Sequence, residues 1–121
     1  MQQFLAITKA LSDETRVRAL LSLREGELCL CQIIELLRMA PSTVSRHMDI
    51  LTQAGLVERR KQGRWQYFSL VKANASPIVR QALAWALQTL KAEPMVVADA
   101  TQLCCVRKKD VKEVSACYRI K

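Results

Sequence analysis

Apolar residues recur at helical spacing from the start of the chain. Phe4, Ile7 and Leu11 mark an amphipathic helix over residues 2–11. Ser12, followed by Asp13 and Glu14, reads as an N-cap with acids in the first turn. The helix it opens runs to about residue 24, burying Val17, Leu20 and Leu21, and Glu25-Gly26 closes it. A third helix is expected over residues 29–37, with Leu30, Ile33, Ile34 and Leu37 turned inward. Pro41 suits the first position of a fourth. That helix buries Val44, Met48 and Leu51, spaced i, i+4, i+7, and Gly55 ends it.

The period then changes. "LVERRKQGRWQYFSL" contains two β-leaning runs around Gln62-Gly63 and predicts a hairpin with a basic tip. Ser76-Pro77 opens a long fifth helix to about residue 92, which Pro94 stops. Its apolar residues (Ile78, Val79, Ala82, Leu83, Trp85, Ala86, Leu90) cover more than one stripe, so it is expected to pack against a second copy of the chain. Residues 94–121 read as one or two short helices or a partly ordered tail, set apart from a unit formed by residues 1–93.

At 121 residues the chain has room for one core. No apolar run approaches the roughly 20 residues of a membrane span. The start lacks the layout of a signal peptide, so a cytoplasmic location is expected. There an odd count of five cysteines suits free thiols or thiolate ligands better than a disulfide scaffold.

Charge is unevenly spread. Residues 1–37 carry four basic and five acidic side chains, whereas residues 38–64 carry six basic against two acidic. A neutral front with a basic middle suits a polyanionic partner. Two short helices joined by "RMAPS", followed by the basic hairpin, form a winged helix-turn-helix in a mostly α fold. With Val44, Met48 and Leu51 inward, Ser42, Thr43, Ser45, Arg46 and His47 crowd the outward half of the second helix, a set suited to phosphate oxygens and base edges. Lys61 and Arg64 extend this face from the wing, beside Arg59 and Arg60, and Trp65, Tyr67 and Phe68 read as hairpin packing. The expected partner is double-stranded DNA. Enzyme chemistry finds no support: there is no Ser/His/Asp layout, no phosphate loop and a single histidine.

"GELCLCQII" sets Cys29 and Cys31 in an apolar, helix-like stretch. Residues at i and i+2 lie about 200° apart around a helix, so both thiols cannot aim at one point while the helix stays regular. The pair is either small core residues or a switch that works by distorting the helix.

"ELCLCQIIELL" followed by "PSTVSRHMDILTQAGLVERRKQGRWQYFSL" closely resembles the ArsR/SmtB metalloregulatory repressors, in particular the arsenic-responsive members, over residues 2–92. The resemblance implies a homodimer, formed through the first and fifth helices, that binds an operator and leaves it when metal binds. It assigns Cys29 and Cys31 as ligands for trivalent arsenic or antimony acting as inducer. Many arsenic sensors carry a third cysteine three residues after the second, where this chain has Ile34. Cadmium, lead and bismuth also favour soft sulfur ligands, and an oxidation sensor would use the same thiols.

Some members of the family form their site from vicinal cysteines near the C-terminus. Cys104 and Cys105 would then supply a missing thiolate to Cys29 and Cys31, form a second site with Cys117, or be idle; Arg107, Lys108 and Lys109 favour their thiolate form. If Cys29 and Cys31 hold one inducer, the first turn of the third helix is expected to unwind or rotate, displacing the recognition helix from its half-site. A constitutive DNA binder with steep salt dependence and no preferred operator is the remaining alternative.

Overall fold

The computed structural model describes residues 1–72 and 74–108. Helices α1 (Gln2–Ala10) and α2 (Glu14–Ser22) are joined by the turn at residues 11–13. Asp13, not Ser12, caps α2: its extended backbone lets the carboxylate accept the Arg16 N–H at 3.1 Å. Ser12 is occupied otherwise, since its hydroxyl donates to the Lys9 carbonyl at the end of α1 (2.7 Å). A single 3-10 turn, Leu23–Glu25, continues α2. Gly26 then takes φ 136°, a left-handed conformation that side chains resist, and turns the chain into a short strand.

That strand, β1 (Leu28–Cys29), runs directly into α3 (Leu30–Leu37). Arg38 ends α3 in the left-handed region (φ 54°, ψ 44°). This tight turn sets up α4 (Pro41–Gln53), with Pro41 in its first turn as its sequence predicts. Strands β2 (Val57–Gln62) and β3 (Trp65–Leu70) form the wing. Its last pair is Gln62 opposite Trp65, so the two-residue turn is Gly63-Arg64, one position beyond the expected centre. The sheet has three antiparallel strands in the order β1-β3-β2, because Leu28 and Cys29 pair with Phe68 and Tyr67. No pattern in the sequence foretold β1, which is two residues long.

Leu20, Leu23, Leu28, Ile33, Val44, Met48, Leu51, Leu56 and Phe68 are fully buried and form the core beneath the helix-turn-helix and the wing. Helix α5 (Pro77–Leu90) contributes Val79, Leu83 and Ala86 and ends two residues short of the expected boundary. Its opposite face leaves Trp85 67% exposed, beside Phe4 of α1 at 54%. Between α1 and α5 lies an apolar groove of about 390 Å³, lined by Phe4, Ile7, Leu11, Ile78, Ala82 and Trp85.

The segment whose conformation the sequence left open begins as one helix, α6 (Pro94–Lys108). It lies on α2 and α3 and buries Val96, Leu103 and Val106. Arg18 of α2 grips Asp99 of α6 through two hydrogen bonds of 2.8 and 2.9 Å, and Arg107 donates to the Gly26 carbonyl at 3.1 Å. Cys117 and Lys109 lie outside the described residues. Among the described residues no helix is long and apolar enough to cross a membrane.

Burial pushes the Asp13 carboxyl pKa up, but the backbone N–H and guanidinium of Arg16 outweigh it and hold the pKa below the usual aspartate value. A group with a depressed folded pKa contributes its stability above the unfolded pKa and loses it as pH falls through the folded value. Asp13→Ala is therefore expected to cost about 1 kcal/mol near neutral pH. Urea unfolding at a series of pH values should show the difference closing as the solution is acidified through the aspartate range.

Candidate nucleic-acid interface and cysteine pair

Three fully buried side chains, Val44, Met48 and Leu51, fix the rotation of α4 about its axis. As a result Ser42, Thr43 and Arg46 are exposed on the outer face, and Ser45 is half-buried at its edge. Ala40 precedes the helix and has no side chain able to cap it. The first N–H groups of α4 are thus left for an external acceptor such as a phosphate. His47 departs from the fully outward placement expected. It is half-buried, and its Nδ1 lies 3.2 Å from the Arg16 guanidinium.

The wing cations divide into two groups. Arg59 lies over the Phe68 ring and is ion-paired to Asp49 of α4. Arg60 stacks over Tyr67, 4.6 Å from the ring centre, and makes a forked pair with Glu27, through contacts of 2.6 and 3.1 Å. That pairing holds the Glu27 carboxyl below its usual pKa. Lys61 and Arg64, at the tip, form no ion pair among the described residues. Their charge is therefore available to a polyanion, whereas Arg59 and Arg60 mainly hold the wing to α4 and to the segment entering β1.

The two cysteines do not share a helix. Cys29 is the last residue of β1 and the N-cap of α3, with extended backbone at φ −70° and ψ 150°. The expected 200° separation does not apply, because only Cys31 lies in the helix. The sulfurs stand 2.9 Å apart and are buried against Trp65 and Tyr67, well beyond the ~2.05 Å of a disulfide. Cys29 and Gln32 form a capping box: Cys29 sulfur accepts the Gln32 N–H, and Gln32 Oε1 accepts the Cys29 N–H at 2.9 Å. A capping box usually uses Ser or Thr in the first position. Here a thiol takes that position.

The electrostatics follow from this placement. The Cys31 thiol hydrogen-bonds the Cys29 sulfur and is the main cause that lowers its pKa to about 7. Burial opposes the shift, and the N–H groups of Cys31, Gln32 and Leu30 at the helix start assist it. The Cys31 pKa is pushed up, chiefly because its proton bridges to Cys29. The surroundings therefore favour ionising Cys29 and keeping Cys31 protonated.

Cys104 and Cys105 are exposed on α6. Cys104 faces a groove of about 300 Å³ that it shares with Leu21, Arg24, Val96, Leu103 and Arg107. Among the described residues no group of three or more Cys, His, Asp or Glu side chains is placed to hold a metal. Cys104 and Cys105 are thus not gathered with Cys29 and Cys31 among the described residues. Gln32, Glu27 and Arg16 escaped sequence reasoning. The Cys-x-x-Gln spacing was a usable signal for Gln32, had Cys been considered as a cap. Glu27 and Arg16 reach their partners across 33 and 31 residues, and no local pattern marks them.

The sequence profile described as "Bacterial regulatory protein, arsR family" matches residues 13–59. An arsenical resistance operon repressor of Escherichia coli is 36% identical over 107 residues, which span 85% of this chain and 90% of that protein. A cadmium resistance regulatory protein, CadC homolog, of Staphylococcus aureus is 38% identical over 63% of this chain and 64% of its own length. Among solved structures, the homodimeric winged helix-turn-helix domain Mb0332 of Mycobacterium bovis, a possible ArsR-family regulator, superposes with a TM-score of 0.61. It is 29% identical and covers 78% of this chain and 82% of that one.

Lys61→Ala and Arg64→Ala should each lower the slope of log affinity for DNA against log salt by roughly one unit. Arg60→Ala should leave the slope near the wild-type value, because its charge is already balanced by Glu27. Fluorescence anisotropy over a salt series measures all three.

Proposed function

Because the chain belongs to the ArsR family of bacterial regulatory proteins, we propose that it is a cytoplasmic repressor that binds its operator as a homodimer and is released by trivalent arsenic or antimony. Arsenite is the inducer this reading assigns, with antimonite and methylarsenite as the related trivalent species. The chain is a DNA-binding regulator, not an enzyme: the relatives that share its sequence are transcriptional regulators. Residues 1–93 would carry DNA binding and dimerisation, with residues 94–121 as an appended segment.

The sulfur pair carries the inducer assignment. Cys29 and Cys31 offer two thiols in contact, one of them poised to ionise near neutral pH, and soft sulfur suits a thiophilic metalloid. A solvent molecule or a small thiol would supply the third donor where Ile34 stands. The route to DNA differs from unwinding a helix to bring the sulfurs together, since they already meet. Cys29 belongs at once to β1, which pairs with β3 of the wing, and to the N-terminus of α3, which packs on α4. Replacing the shared proton disturbs the capping hydrogen bonds and the wing strand together. A coupling of roughly 1–3 kcal/mol would weaken operator binding about 5–150-fold.

The groove between α1 and α5, with Trp85 and Phe4 exposed on it, supports the dimer. An apolar patch of this kind marks an interaction site, and the solved homodimer of similar fold is consistent with a second copy. Trp85→Glu is expected to give monomers in sedimentation velocity and to weaken operator binding.

The deciding experiment is a gel shift on the promoter upstream of the protein's own gene, with and without arsenite. Wild type should be released. A Cys29→Ser, Cys31→Ser double mutant should bind the operator and stay bound. Release abolished only by Cys104→Ser, Cys105→Ser would move the sensor to α6. The contact between the sulfurs also favours an oxidation sensor as a second reading. Peroxide would then consume thiols to disulfide, whereas arsenite gives an ultraviolet thiolate band that a chelating dithiol reverses.

A further inference from the structure

His47 is the only histidine in the chain, and its ring is engaged from one side. Arg16 Nη1 lies 3.2 Å from Nδ1. A guanidinium is always charged and has no lone pair to offer, so the nitrogen facing it must accept. The proton of the neutral ring then resides on Nε2.

Arg16 has little freedom to move. Its Nε donates to the Ala10 carbonyl and its Nη2 to the Lys9 carbonyl, each at 3.0 Å. These carbonyls belong to the last turn of α1, and that of Lys9 also accepts the hydroxyl and N–H of Ser12. The Arg16 backbone N–H is held by Asp13. One side chain thus joins the end of α1, the start of α2 and the outer half of α4. Among the described residues His47 Nε2 makes no protein hydrogen bond, while the Asp13 carboxylate is near enough to interact with the ring electrostatically.

We infer that Arg16 is a positioning residue for operator recognition: it holds His47 in the tautomer that presents Nε2–H as a donor to an acceptor on the DNA. This rests on the operator-binding reading above. The acceptor is a purine N7 in the major groove or a phosphate oxygen, both of which take an N–H donor. Because α1 also carries the exposed face proposed for dimerisation, the same contact ties the reading helix to the dimer scaffold.

The single imidazole makes the test direct. Long-range ¹H–¹⁵N spectra of the free protein, recorded where the ring is neutral, should show the Nε2–H tautomer in wild type. Arg16→Met should show a mixture of both tautomers. On the operator, His47→Phe should weaken binding about tenfold and Arg16→Met, which leaves part of the ring population competent, about twofold, while the double variant should be no weaker than His47→Phe alone. His47→Gln, which retains an N–H donor, should recover binding relative to His47→Phe. Operators carrying 7-deazapurines or methylphosphonates identify the acceptor: one class of substitution should weaken wild type and leave His47→Phe unaffected.

An Nδ1–H tautomer in wild type overturns the inference. Losses from Arg16→Met and His47→Phe that multiply also overturn it, since Arg16 would then serve the fold alone, as does a wild type indifferent to both DNA substitutions. A wild type with no preference for its own promoter overturns the operator reading and the inference with it. The tautomer spectrum needs no DNA and separates that failure from loss of the Arg16 contact.

Discussion

A helix that starts on a cysteine must satisfy its first N–H groups with sulfur, and in this protein that constraint organises the region around the DNA face. Cys29 accepts from Gln32, is hydrogen-bonded by the thiol of Cys31, and ends the strand that completes the wing sheet. Sulfur is a weak acceptor when protonated and a strong one as a thiolate. The helix start and its N–H groups therefore stabilise the ionised form, and the ionised form stabilises the helix start. The result is a thiol with a pKa near 7 in a buried position, where an isolated thiol would be pushed the other way.

The surroundings extend this coupling. Tyr67 and Trp65 cover the sulfurs, Tyr67 also carries the Arg60 guanidinium, and Arg60 reaches back to Glu27, two residues before Cys29. On the other side of the wing, Arg59 holds Asp49 of the recognition helix. Exposed ion pairs contribute little stability singly. Their importance here is spatial: they join the segment entering β1, the wing and α4 without using the tip cations Lys61 and Arg64. Helix α6 closes the arrangement from behind, with Arg18–Asp99 and Arg107 tying it to α2 and to the turn that leads into the cysteine strand.

Much of this was legible along the chain. The helical repeats gave α1 to α5 to within two or three residues, since a buried stripe at 3.6-residue spacing and a Pro or Gly at an end are local signals. The wing followed from the change of period, and the outer face of α4 from the three residues that had to turn inward. Where the reading slipped, the cause was competition that a linear pattern does not reveal. Ser12 looked like a cap but was taken up by α1, so Asp13 capped α2. Cys29 looked helical by hydropathy, but pairing with Tyr67 drew it into a strand.

By itself, then, the sequence determined the elements, their amphipathic faces, the basic wing and the cysteine motif with its family. These depend on spacings of a few residues and on backbone preferences that act locally. Only the tertiary structure decided which wing cations are paired, that the two sulfurs meet, that α6 docks on α2 and α3, and that Arg16 faces His47. Each of those is a contact across tens of residues of chain, chosen by how the buried faces pack together, and no local spacing encodes it.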